Sequence, residues 1–146
     1  MGSEKNVNKH GKVVNILYET VGETKIINGL KAKVIKLKTD KKGTHSSLPL
    51  FSVTSDVYLR LGFDGMPCQA KVYKNERAVL DFDWSHEHRN PDGTVSPKGV
   101  VHVQTYTNVS GSVERHSNQA RFMTESEIAK YGPMLLAFNP NVKFRL

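Results

Sequence analysis

Asp83, His86, His88 and His102 are the residues whose types and spacing could do chemistry here, with Asp81, Glu87 and Arg89 close by in sequence. An imidazole with a pKa of about 6.5 exists in either protonation state at neutral pH, so two histidines flanking a phosphodiester can act as general base and general acid. In RNA the 2′-hydroxyl would be the nucleophile, and Arg89 or Arg115 could stabilise charge gathering on the phosphate. His86, His88 and His102 with a carboxylate could instead take a divalent metal, because zinc often combines three protein ligands with a water. The His-x-His spacing commits no residue to metal. It is neither the His-Glu-x-x-His of a zincin nor accompanied by a cysteine pair, so the cofactor stays open. The plain alternative is that Asp83, His86 and His88 decorate a strand end and a turn, where such residues are common.

The elements that must position these groups read as β-strands. Alternation over Leu80 to Trp84 puts Leu80, Phe82 and Trp84 on one face and Asp81 and Asp83 on the other. If the strand from Arg77 continues to His88 and pairs antiparallel with Gly99 to Tyr106, residues whose numbers sum to about 188 face each other. His86 then opposes His102, with Cβ atoms about 5 Å apart. The connection contains Asn90-Pro91-Asp92-Gly93, a turn, and Pro97, which blocks further strand.

Upstream, Val13 to Tyr18 is an apolar β-branched run. Lys25 to Ile27, Asn28-Gly29 and Leu30 to Lys38 form the strongest hairpin signal, since Asn-Gly accepts the two positive φ angles of a type I′ turn. Lys41 to Pro49 reads as a loop, and Asp56 to Leu61, Cys68 to Lys74, Arg77 to Trp84 and Gly99 to Thr107 as a meander, with Gly62 to Pro67 turning between the first two strands. Thr124 and Glu127 make a capping box, and Gly132-Pro133 should stop that helix after Tyr131. The expected architecture is one α+β domain over residues 1–146, mainly antiparallel sheet with one short helix. Residues 1–11 are expected to be flexible and Val142 to Leu146 to add an edge strand.

Charge narrows the partners. The net charge is +7, and residues 1–46 hold ten lysines against four acids, whereas residues 76–146 balance eight against eight. Lys31, Lys33, Lys36, Lys38, Lys41 and Lys42 are the densest part of this excess, a field that favours nucleic acid by counterion release. Exposed strand lysines that discourage edge aggregation are the bland reading. No stretch approaches the roughly 20 consecutive apolar residues of a membrane span. Cys68 is the single cysteine and Met1 to Gly11 is polar, so the expected compartment is the cytoplasm, with no membrane contact.

The run Cys68-Gln-Ala-Lys-Val-Tyr, then Leu80-Asp-Phe-Asp-Trp, a histidine-bearing loop and Val101-His-Val resembles small accessory domains of phages and mobile elements and the C-terminal domains of polymorphic toxins. The turn here is Asn75-Glu76 where that pattern favours Asn-Gly or Asp-Gly, and Gln104 stands where a second histidine is often found. The resemblance implies a toxin-like or phage accessory protein. Together these features suggest a ribonuclease or related phosphodiesterase acting through His86, His88, His102, Asp83 and Arg89, with nucleic acid, RNA first, as partner and a host or cognate inhibitor protein as a further one. The alternatives are a noncatalytic binder of nucleic acid or of a host protein, and a self-associating assembly component.

Overall fold

The structure is a computed structural model describing residues 2–7, 13–37, 48–62, 64–109, 112–115 and 120–145. The strands are β1 (Gly2–Val7), β2 (Val13–Ile27), β3 (Leu30–Leu37), β4 (Val57–Leu61), β5 (Pro67–Lys74), β6 (Arg77–Asp83), β7 (His88–Arg89), β8 (Val95–Ser96), β9 (His102–Val109), β10 (Ser112–Arg115) and β11 (Arg121–Phe122), followed by helix α1 (Glu125–Phe138). The main sheet runs β1-β2-β3-β4-β5-β6-β9-β10, with β11 also on β9, while β7 and β8 form a separate two-stranded hairpin. Among the described strands only β3 and β4 pair in parallel. The α+β expectation, mostly antiparallel with one helix, holds. Gly2–Val7, in the stretch expected to be flexible, is β1 and pairs with β2.

Local turn chemistry explains the hairpins. Asn28 (φ 54°) and Gly29 (φ 79°) occupy the two left-handed positions between β2 and β3, as the Asn-Gly pair requires. Asn75 (φ 52°) and Glu76 (φ 68°) do the same between β5 and β6 without a glycine, a costlier solution that burial of the flanking strands sustains. The turn Asn90-Pro91-Asp92-Gly93 joins β7 to β8, with the Asn90 N–H donating to Thr94 O at 2.8 Å.

Helix and sheet share one core. Ala32, Val34, Val57, Leu59, Ala70, Val72, Phe82 and Val103 bury one sheet face against Tyr131, Met134 and Leu135 of α1 and against Val142. The capping box forms as expected: the Glu127 N–H donates to Thr124 Oγ1 at 3.2 Å and the Thr124 N–H to Glu127 Oε1 at 2.9 Å. The helix does not stop at Gly132-Pro133 but continues to Phe138. An interior proline costs about 3 kcal/mol because it removes a donor and crowds the preceding turn. Burying Met134 and Leu135 beyond it returns about 1.5–3 kcal/mol each. Asn28 Nδ2 also donates to Ala129 O, the carbonyl that Pro133 leaves without its helical donor, at 3.3 Å, and to Lys130 O at 2.9 Å. The Val142 to Leu146 segment contributes a bridge between Lys143 and Val100 rather than a strand, and Leu146 lies outside the described residues.

The opposite sheet face is only partly apolar. Ile35, Tyr58, Tyr73, Ala78 and Val113 pack there with Leu48. Leu50 to Ser52 run beside the start of β6, with the Ala78 N–H donating to Leu50 O and the Ser52 N–H to Glu76 O, both at 2.9 Å. The rest of this face is polar, and it carries the histidines.

Candidate functional site

Strand register assembles the floor of the site. Arg60 pairs with Gln69, Gln69 with Asp83, and Asp83 with His102, so one lateral row crosses β4, β5, β6 and β9. The next row is Tyr58, Lys71, Asp81 and Gln104. Cross-strand partners share a face, and both rows lie on the side away from α1. Arg60 (6% exposed), Lys71 (2%), His102 (2%) and Gln104 (8%) are buried there. A buried charge is costly unless paired. Lys71 Nζ accordingly donates to Leu48 O at 3.0 Å, lies 3.6 Å from Asp81 Oδ1 and sits 5.0 Å from the Tyr106 ring centre. Tyr106 Oη donates to Asp81 Oδ2 at 2.6 Å. In the first row Arg60 Nη1 donates to Gln69 Oε1 at 2.9 Å and Gln69 Nε2 to Asp83 Oδ2 at 2.5 Å.

The expected register needs correction. Asp83, not His86, faces His102, because β6 ends at Asp83 instead of running on to His88. The observed pairs sum to 185, three below the expected value; an odd slip exchanges the faces. It is what puts Asp81 and Asp83 on the His102 side. His86 still reaches the cluster by a local device. The Ser85 N–H and Oγ both donate to Asp83 Oδ1, at 2.8 and 2.6 Å, an Asx-type turn. It brings His86 Nε2 to 3.5 Å from Asp83 Oδ2, and His86 Nδ1 lies 2.8 Å from Glu87 O.

Three elements therefore deliver three imidazoles to one place: the turn after β6, the first residue of β7 and the first residue of β9. The His88 and His102 rings stack 4.5 Å apart at 12°. His86 lies 5.3 Å from His102 and 6.2 Å from His88, centre to centre. One potential ligand atom from each lies within 4.8 Å of the other two. His102 is at the buried end and His86, 44% exposed, at the open end.

Their environments differ sharply. The Asp83 bond raises His86 to about 9 against the opposing effect of its partial burial, with the Glu87 carbonyl adding to the rise. Burial would raise Asp83, but the bonds from His86 and Ser85 outweigh it and hold the carboxyl well below the ordinary carboxylate range. Burial pushes His102 down to about 4, although the Asp83 charge opposes this. His102 Nδ1 is buried with no hydrogen-bond partner among the described residues, a defect that ordinarily costs about 1–3 kcal/mol.

Asp83, His86, His88 and His102 are thus brought together, and the other candidates among the described residues are not. Arg89 is exposed on β7 and, one residue on from His88, projects from the other side of that strand. Lys31 and Lys33 alternate with Ala32 and Val34 and so share the polar face, whereas Lys36 is exposed on the other face. Lys38, Lys41 and Lys42 lie outside the described residues, as does the side chain of Arg115. Sequence reasoning missed Arg60, Gln69 and Lys71. The alternation Tyr58-Leu59-Arg60 and Gln69-Ala70-Lys71 was visible, but such a pattern ordinarily marks a solvent face. No helix among the described residues is long and apolar enough to cross a membrane. Compared with protein-family models, curated proteins and solved structures, the chain matches none.

Proposed function

We propose that this protein cleaves phosphodiester bonds in nucleic acid, RNA first, with the His86–His88–His102 cluster as its reaction centre and Asp83 as the carboxylate that holds His86. The observation that carries this reading is the convergence of three imidazoles from three separate elements at the open end of a polar sheet face. Phosphodiester cleavage needs groups that move protons or bind cations beside the phosphorus, and clustered imidazoles supply both capacities. Lys31 and Lys33 stand on the same face, four strands from His102 in the sheet order, or roughly 19 Å at the usual strand spacing. The net charge of +7 favours a polyanionic partner.

The similarity to toxin domains fits this reading. A toxin of this kind acts in the cytoplasm, a reducing compartment suited to a chain with one cysteine, and meets a cognate inhibitor protein. The second reading is a noncatalytic nucleic-acid binder, favoured by the 2% exposure of His102, which leaves its ring little access to a substrate.

The test is incubation of the purified protein with labelled single-stranded RNA, duplex RNA and DNA, alongside His86→Ala and His88→Ala. Cleavage lost in both variants supports the enzyme. Intact substrates with retained binding, abolished by charge reversal at Lys31 and Lys33, move the reading to a binder.

A further inference from the structure

We propose that His86, His88 and His102 together hold one divalent transition-metal ion, leaving a coordination position open for water or a phosphate oxygen. Its catalytic meaning rests on the reading above, but the binding is measurable without any nucleic acid. One ring nitrogen from each histidine already lies within 4.8 Å of the others. Tetrahedral nitrogens bonded to zinc stand about 3.4 Å apart, so closing the set requires His86 and His88, neither of them fully buried, to rotate and His88 to leave its stack on His102.

One observation points to a ligand, and the setting of His86 suits it. His102 Nδ1 is a buried polar atom with no partner among the described residues, on a side chain only 2% exposed and packed against the other two rings. Such orphans are ordinarily satisfied by a bound water or an ion, and here two further imidazoles face the same place. His86 Nδ1 lies 2.8 Å from Glu87 O. Metal binding would release the Nε2 proton to solvent and turn the ring off Asp83, leaving the Nδ1 proton on the Glu87 carbonyl, the tautomer that histidine ligands commonly use. Asp83 Oδ2, 3.5 Å from that Nε2, is placed to accept from a metal-bound water once the ring turns inward.

The donor set selects the ion. Three imidazoles without a thiolate suit zinc, cobalt, nickel or iron(II), whereas magnesium and calcium prefer oxygen ligands. With one position left for solvent, the site has the makeup of a catalytic rather than a structural centre.

The experiment starts from chelator-stripped protein, titrated calorimetrically with zinc(II) and spectroscopically with cobalt(II), with magnesium(II) for comparison. The expected result is one equivalent of zinc, visible cobalt absorption of a low-coordinate nitrogen site and no comparable magnesium uptake. His86→Gln and His88→Gln, at positions that do not empty the core, each weaken zinc binding about a hundredfold or more. A variant replacing His10, His45 and His116 together by Gln keeps it. No stoichiometric uptake, uptake unchanged in His86→Gln and His88→Gln, or a preference for magnesium overturns the proposal. Zinc bound without nucleic-acid cleavage leaves the metal site standing and removes the nuclease reading; cleavage by protein that takes up no metal does the reverse.

Discussion

His88 and His102 stack ring on ring, 4.5 Å apart and within 12° of parallel, although fourteen positions separate them and a two-stranded hairpin intervenes. Two imidazolium ions would repel in that arrangement. Burial, which pushes His102 down to about 4, keeps its ring neutral at ordinary pH and makes the stack tolerable. The contact ties the β7–β8 hairpin to the main sheet, so packing and chemistry share the same atoms.

Replacing His88 by Phe separates the two. The aromatic contact, worth about 0.5–1.5 kcal/mol, is retained while the nitrogen is lost. His88→Phe should therefore unfold within about 1 kcal/mol of the parent in urea yet cleave nucleic acid at least about a hundredfold more slowly. Cleavage at the parental rate would remove His88 from the reaction centre.

Asp83 accepts from Gln69 and Ser85 and holds His86. Asp83→Asn turns one acceptor oxygen into a donor facing Gln69 Nε2 and releases His86. A stability loss of about 1–3 kcal/mol is expected, together with a drop in cleavage, whereas in a His86→Ala chain Asp83→Asn should lower cleavage no further. Independent, multiplying losses in the double variant would show that Asp83 does not work through His86.

Acid should weaken the fold through a pair away from the site. Arg121 Nη1 and Nη2 donate to Glu127 Oε1 and Oε2 at 2.7 and 3.0 Å, joining β11 to the first turn of α1. Burial alone would raise the Glu127 carboxyl, but Arg121 and Thr124 outweigh it and lower it below its ordinary 4.5. A depressed folded pKa means stability that is present above about pH 4.5 and lost as pH falls through the lower folded value. Glu127→Gln keeps the neutral half of the capping box and should cost about 1 kcal/mol at neutral pH, held to that size by the solvent exposure of Arg121. Urea unfolding at both pH values checks it: the gap between parent and variant should shrink in acid, and a constant gap would assign the loss to packing.

The Asn28 contact should be coupled to Pro133. Asn28→Gly keeps the positive φ and loses the donor to Ala129 O, so it should destabilise by about 0.5–1.5 kcal/mol. In a Pro133→Ala background the helix supplies its own donor to Ala129, and the Asn28→Gly cost should fall. A double-mutant cycle measures this, and equal costs in both backgrounds would sink the account.

Features written in a few neighbouring residues were legible without the fold. Asn28-Gly29 needs two left-handed residues and so announces a turn; Thr124 and Glu127 satisfy orphan helix amides within one turn; Asp83, His86, His88 and His102 declare their chemistry by residue type. What depended on distant residues was not legible. The β6–β9 register is set by how Phe82 and Val103 pack beneath α1 and by the Asx turn at Asp83, and it fell three residues from the simple hairpin count. The helix passes Pro133 because Asn28, about a hundred positions away, meets a freed carbonyl while Met134 and Leu135 find a core. Arg60 and Lys71 looked like solvent-facing alternation, yet both are buried in the fold. Residue types by themselves determined which groups could react; only the summed burial of long-range contacts decided which of them meet, because a cross-strand neighbour is chosen by packing and not by separation along the chain.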